Sequence, residues 1–184
     1  MAHLSQEHIY LRALRPGDGE ELDGNSDTAF RFTSGDAPPI PDVTRLEYPG
    51  NGSIAQFSFA VIAGHRLVGE VIFSGIDLSG RQCRLTMGIA RKSDRNQGIG
   101  SRALHLALTY AFYSLGMEKV TADTTDQNPP AIAILINSGF RLNGSEPGFQ
   151  TYTRVQFRHL HYTITLDDFN ELNKWLHQEQ SIRP

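Results

Sequence analysis

The stretch LTMGIARKSDRNQGIGSRAL, residues 85–104, joins two unlike elements. Its first residues close a strand-like run, CRLTMGIA (83–90), and its last open SRALHLALTYAFYSLG (101–116), which is apolar nearly all round and reads as a largely buried helix stopped at Gly116. Between them, Gly98 and Gly100 let backbone amides approach a ligand with no side chain in the way. A helix start adds N–H groups that lack intrahelical partners, and the positive end of its dipole. Together these form a site for a phosphate or pyrophosphate, to which Arg95 and Arg102 bring charge. A glycine pair before a helix is also what a tight turn with a basic rim looks like, so the surroundings decide.

Towards the N-terminus, FSFAVIA (57–63) and LVGEVIFSGI (67–76) are separated only by GHR and read as a hairpin, with CRLTMGIA as the third strand of the same antiparallel meander. HIYLRAL (8–14) reads as an opening strand, and RPGDGEEL leads into a short helix. Residues 17–52 are rich in Gly, Pro, Asp and Ser, including GDAPPIPD (35–42), and read as a long functional loop containing a short helix.

Towards the C-terminus, KVTADTT (119–125) is a strand. NPPAIAILINSGF (128–140) is a short helix capped by Asn128, with Pro129 and Pro130 in its first turn and Gly139 at its end. FQTYTRV (149–155) and HLHYTITL (159–166) read as strands. DDFNELNKWLHQ (167–178) reads as a helix whose Phe169, Leu172 and Trp175 form one docking face. Antiparallel strands followed by strand–helix–strand–helix–strand imply an α+β fold with a mixed, mainly antiparallel sheet flanked by helices. The 184 residues suit one domain, 1–184, with no repeat and no linker.

Composition narrows the function. Apolar residues make up 39%, charged residues 20%, and the net charge is −3, so no basic field draws the chain to nucleic acid or anionic membrane. No run has the length of a signal-peptide core or a membrane span, and a cytoplasmic location is expected. The single cysteine, Cys83, excludes an internal disulfide and reads as a half-buried core residue rather than a nucleophile. His159 and His161 share a strand face but have no visible carboxylate or cysteine partner, so they read as packed or surface residues or as part of an acceptor wall, and no metal is expected.

Three blocks in order carry a resemblance. Arg95-Asn96-Gln97-Gly98-Ile99-Gly100 resembles the Arg/Gln-x-x-Gly-x-Gly/Ala motif of the GNAT superfamily of N-acetyltransferases. The strand LTMGIA precedes it by a short charged loop. NPPAIAILINSGF resembles that superfamily's Asn-Pro-x-Ala-Ile-x-Leu-Tyr-x-x-x-Gly-Phe segment. The likeness covers roughly residues 57–166 and is closest to the branch of ribosomal-protein N-terminal and spermidine acetyltransferases.

The resemblance implies a coenzyme-binding core over 83–140 and an acceptor-side region over 17–52. It also implies acetyl-CoA as co-substrate, an amine acceptor (a protein N-terminus, a polyamine or another small amine), and a monomer or homodimer. Backbone N–H groups of Arg95, Asn96, Gln97, Gly98, Ile99, Gly100 and Ser101 would hold the pyrophosphate. Met87, Gly88 and Ile89 would pair with the pantetheine arm as an added strand does, with Asn128 and Ala131 along it.

Direct acetyl transfer needs a base for the amine, a donor for the thioester oxygen, and a route out for the thiolate. The backbone N–H of Ile89 suits the second. Glu70 is the candidate base: it shares a strand face with Val68 and Ile72, where a carboxylate is partly desolvated. A surface glutamate in a salt bridge gives the same pattern. Where relatives carry the tyrosine acid, this chain has Leu135, which donates no proton; Tyr110, Tyr113 or Tyr152 takes the role, or the thiolate leaves unassisted.

Two rival readings remain. One is a non-catalytic acyl-CoA sensor, motivated by Leu135. The other is a nucleotide-binding oxidoreductase, since Gly98-Ile99-Gly100-Ser101-Arg102-Ala103 also fits Gly-x-Gly-x-x-Ala; against it, seven residues separate Ala90 from Gly98.

Overall fold

The computed structural model describes residues 8–26, 53–150 and 155–182. Its strands are β1 (Ile9–Ala13), β2 (Ser53–Ala63), β3 (Arg66–Asp77), β4 (Gln82–Ile89), β5 (Lys119–Thr125), β6 (Arg141–Gln150) and β7 (Val155–Thr165). Its helices are α1 (Asp18–Asn25), α2 (Ile99–Thr109), α3 (Pro129–Asn137) and α4 (Leu166–Ile182). The strands form one mixed sheet in the order β1-β2-β3-β4-β5-β7-β6. Only β4 and β5 run parallel, as the crossover through α2 requires; every other pair is antiparallel. Among the described residues no helix is long and apolar enough to cross a membrane.

Period-two alternation sends Phe57, Phe59, Val61, Val71, Phe73, Cys83 and Leu85 to one face of the sheet. There they meet Ile99, Ala103, Leu104, Ala107 and Leu108 of α2. Phe57 stacks on Phe73 at 5.1 Å, and the Tyr110 ring stands edge-on to Phe59 at 4.9 Å. From α4, Phe169 is fully buried and lies 5.2 Å from Phe112.

Several sequence expectations shift. The helix expected over 101–116 starts two residues earlier, at Ile99, and ends in a π-helical turn, Tyr110–Ser114. It is not apolar all round, since Ser101, Arg102 and Tyr113 are exposed. The strand expected over 149–155 is not one element: β6 already begins at Arg141, β7 begins at Val155, and residues 151–154 lie outside the described set. On α4, Phe169 docks but Trp175 is exposed, so the docking face is narrower than the spacing suggests. Of region 17–52, α1 lies within the described residues, and GDAPPIPD (35–42) lies outside them.

Helix α1 is fixed to β1 by the largely buried Asp18, whose carboxylate accepts from both Arg12 guanidinium nitrogens at 2.6 and 2.9 Å and from the Arg15 N–H at 2.7 Å. Burial pushes this carboxyl up, but the Arg12 and Arg15 hydrogen bonds outweigh it and hold it below the usual carboxylate value.

Glycine is obligatory at position 69. A Cβ there would lie 2.3 Å from the Gly88 carbonyl oxygen and 2.9 Å from the Ile89 side chain. We therefore expect Gly69→Ala to lose about 1–3 kcal/mol of stability by overpacking, read as a lowered denaturation midpoint. An unchanged midpoint would show that β3 and β4 do not approach this closely.

Candidate functional site

The β4–β5 ladder stops early. Gln82, Cys83 and Arg84 pair with Lys119, Val120 and Thr121, and beyond them the two strands diverge. On its other side β4 stays in register with β3, with Met87 opposite Val71, Gly88 opposite Glu70 and Ile89 opposite Gly69. The Ala90 N–H donates to the Val68 carbonyl at 2.9 Å, so Ala90 and Val68 are a hydrogen-bonded pair. Antiparallel alternation then makes Gly88·Glu70 the next such pair and turns the backbone N–H groups of Ile89 and Met87 away from β3, into the splay. A strand edge without a partner strand is what an extended, amide-bearing ligand arm can pair with.

Just past β4 the chain makes a 3₁₀ turn, Lys92–Asp94. Asn96 and Gly98 then take left-handed backbone conformations at φ 58° and 77°. Gly98 is the N-cap of α2 and no side chain caps the helix. The Arg102 N–H makes the first intrahelical hydrogen bond, donating to the Gly98 carbonyl at 3.0 Å, which leaves the Ile99, Gly100 and Ser101 N–H groups without an acceptor inside the helix. A side chain at Gly100 would come 3.2 Å from Ile134 and 3.7 Å from Met87, so the start of α2 is wedged between α3 and β4.

Arg95 departs from its expected use. Its guanidinium donates back to the Ile89 and Ala90 carbonyls at 3.1 and 3.3 Å, and its own N–H donates to Lys92 at 3.0 Å. It braces the end of β4 against the loop. Sequence reasoning also missed Asp94, buried and paired with Arg66 at 2.8 Å, which ties the loop to the start of β3. Nothing in the spacing signals that pair, because its members stand 28 residues apart.

On α3, Asn128 caps as expected, accepting from the Ala131 N–H at 3.3 Å, and Gly139 follows the helix at φ 89°. Ile134 lies against the start of α2, and Ala131 stands about one turn before it on the helix. Leu135 is buried in the main core. Two of the three tyrosines considered for its acid role are placed elsewhere. Tyr110 is packed among Phe57, Phe59 and Phe73, where burial pushes its hydroxyl up, and the Tyr113 hydroxyl meets Asn170 on α4. Tyr152 lies outside the described residues.

Glu70 is fully buried, more than the half-exposed strand position expected. Its pairing with Gly88 puts it on the sheet face opposite α2, beside the splay. Cys83 is buried, and burial pushes its thiol up to about 12, so it is no nucleophile at neutral pH. His161 does have a carboxylate partner, contrary to the sequence expectation: its Nδ1 lies 2.7 Å from Asp123 across the β5–β7 ladder. Among the described residues no group of three or more His, Cys, Asp and Glu side chains could hold a metal ion.

The model of the acetyltransferase (GNAT) domain matches residues 8–141. No curated protein sequence matches the chain. Many solved structures have similar folds. Mycobacterium smegmatis RimJ in complex with CoA-disulfide is 22% identical with a TM-score of 0.57; the match covers 62% of this chain and only 55% of that one. A SpeG spermidine N-acetyltransferase chimera from Vibrio cholerae and hSSAT is 20% identical with a TM-score of 0.69, covering 89% of this chain and 99% of that one. The Vibrio cholerae spermidine N-acetyltransferase in complex with CoA and spermine is 21% identical with a TM-score of 0.68, covering 89% and 98%.

Proposed function

The chain belongs to the acetyltransferase (GNAT) domain family, and from that premise we propose that it transfers an acetyl group from acetyl-CoA to a primary amine. The observation that carries this reading is the splay beside β4, continued by an uncapped helix start behind Gly98. One feature suits an extended amide-bearing arm and the other a pyrophosphate, and the two are joined by a loop of the same chain.

Acetyl-CoA supplies the acetyl group as an activated thioester. In this reading the Asn96–Ser101 backbone binds the pyrophosphate, and the arm is oriented by the outward N–H and C=O of Met87 and by the N–H of Ile89, whose carbonyl accepts from Arg95. The Ile89 N–H donates to the thioester oxygen as it gains charge. Glu70, on the acceptor face opposite Gly88, takes the proton of the acceptor ammonium, directly or through water. Asn128 keeps its amide nitrogen available towards the arm, since only its oxygen is used in capping α3.

The test is release of free thiol from acetyl-CoA in the presence of a panel of N-terminal peptides, polyamines and small monoamines. We expect acceptor-dependent thiol release and an N-acetylated product by mass. Acetyl-CoA binding with no turnover across the panel would favour the acyl-CoA sensor, the reading that the buried Leu135 supports.

Leu135→Tyr probes that position. Placing the larger phenol in the core is expected to cost about 1–3 kcal/mol, while acetyl-CoA still binds and turnover holds or rises. A variant that binds the coenzyme normally yet loses most of its activity would make leucine part of the working site.

A further inference from the structure

The sheet face that carries Glu70 continues across the splay. Arg84 lies beside Thr121 in the β4–β5 ladder, Asp123 follows two residues on, and Asp123 stands opposite His161 in β7. The Asp123 carboxylate is held from two sides, by His161 Nδ1 at 2.7 Å and by Arg84 Nε at 3.3 Å. A carboxylate on Nδ1 keeps the proton of the neutral imidazole on that nitrogen, so Nε2 presents a lone pair. This Nε2 lies 3.8 Å from Glu146 Oε1 on the edge strand β6. That gap is too wide for a hydrogen bond. It leaves two acceptors side by side at a spacing that one ammonium can bridge with two N–H groups. Both are open to solvent, with the His161 side chain 38% and the Glu146 side chain 65% exposed. Opposite His161 the β6 register shifts between Leu142 and Gly144, the kind of local irregularity that re-aims side chains at sheet edges.

We propose that Glu146 and His161 Nε2 form a subsite for a second ammonium group of the acceptor, remote from the one acetylated, and that Asp123 sets the imidazole tautomer for it. This rests on the acetyltransferase reading and specifies its acceptor as a diamine or longer polyamine. His161 on β7 lies two strand spacings from β4 and Glu146 on β6 three, and the reacting amine sits above the splay beside β4, so the two nitrogens of a well-fitting acceptor are about 10–15 Å apart.

The experiment is a series of linear α,ω-diamines of increasing length, each paired with the monoamine of equal length, assayed with acetyl-CoA. We expect the diamine KM to pass through a minimum near that separation, about fivefold below the matched monoamine, as a partly exposed ion pair supports. Glu146→Gln and His161→Phe should each remove the diamine advantage and leave the monoamine KM and kcat unchanged. Equal KM values for matched diamines and monoamines in the parent protein, or a length preference that survives Glu146→Gln, would overturn the subsite. If no amine of either kind is acetylated, the acetyltransferase reading fails by itself. Calorimetric titration of the protein with the same diamines then decides the subsite, with heat that disappears in Glu146→Gln supporting it and the absence of such heat overturning it.

Discussion

Glu70→Gln is expected to lower turnover with a true acceptor by about a hundredfold or more while acetyl-CoA affinity stays at the parent value. Glu70 is fully buried between Ala60 of β2 and Gly88 of β4 in the ladders, so a replacement must match its volume to be informative. Glutamine does so and removes only the ability to take a proton. In the proposed reading the coenzyme arm is held by β4 backbone groups that turn away from β3, so its affinity should not depend on the Glu70 carboxylate. Separate measurement of kcat and of the acetyl-CoA dissociation constant tests both halves. A variant with the parent's kcat would move the base to water or another residue. A variant that loses affinity along with rate would make Glu70 a structural support for β4.

Gly98→Val is expected to abolish the stabilisation that acetyl-CoA confers. Gly98 holds φ 77° at the N-cap of α2, a conformation that costs an L-residue about 1–2 kcal/mol, and a β-branched one more. Relief of that strain redirects the amides that follow it, which are the ones the pyrophosphate would use. A ligand present at a hundredfold its dissociation constant stabilises the parent by about 2.7 kcal/mol, which is readily seen in thermal unfolding. The valine variant should unfold at a modestly lower temperature and show no shift with acetyl-CoA. If it shifts as the parent does, the loop from Asn96 to Ser101 is not the phosphate cradle.

Much of the fold was legible because β2, β3 and β4 are apolar runs of strand length separated by short turns, and α3 carries its own punctuation in Asn128, the proline pair and Gly139. The edge strand β6 was not. Its sequence, RLNGSEPGFQ, holds two glycines and a proline, residue types that are uncommon inside strands. An edge strand tolerates them because it bonds a partner on one side only, here β7. At the site, the glycine loop stood out from residue type and order, while Met87–Ile89 were singled out only by the resemblance to the superfamily. Their bracing did not stand out: the Arg95 contacts to the Ile89 and Ala90 carbonyls, the Asp94–Arg66 pair and the Asp123–His161 contact are set by tertiary approach, not by local pattern. Desolvation of Glu70 was foreseen in direction and underestimated in extent, because period-two alternation tells which face a residue takes but not what covers that face.

Thermal unfolding of the unmodified protein against increasing acetyl-CoA, with NAD as the control ligand, tests the central claim most directly. A splayed β4 edge joined to an uncapped helix start predicts a saturable rise in unfolding temperature with acetyl-CoA and none with NAD. No shift with acetyl-CoA at millimolar concentration, or an equal shift with NAD, would contradict it.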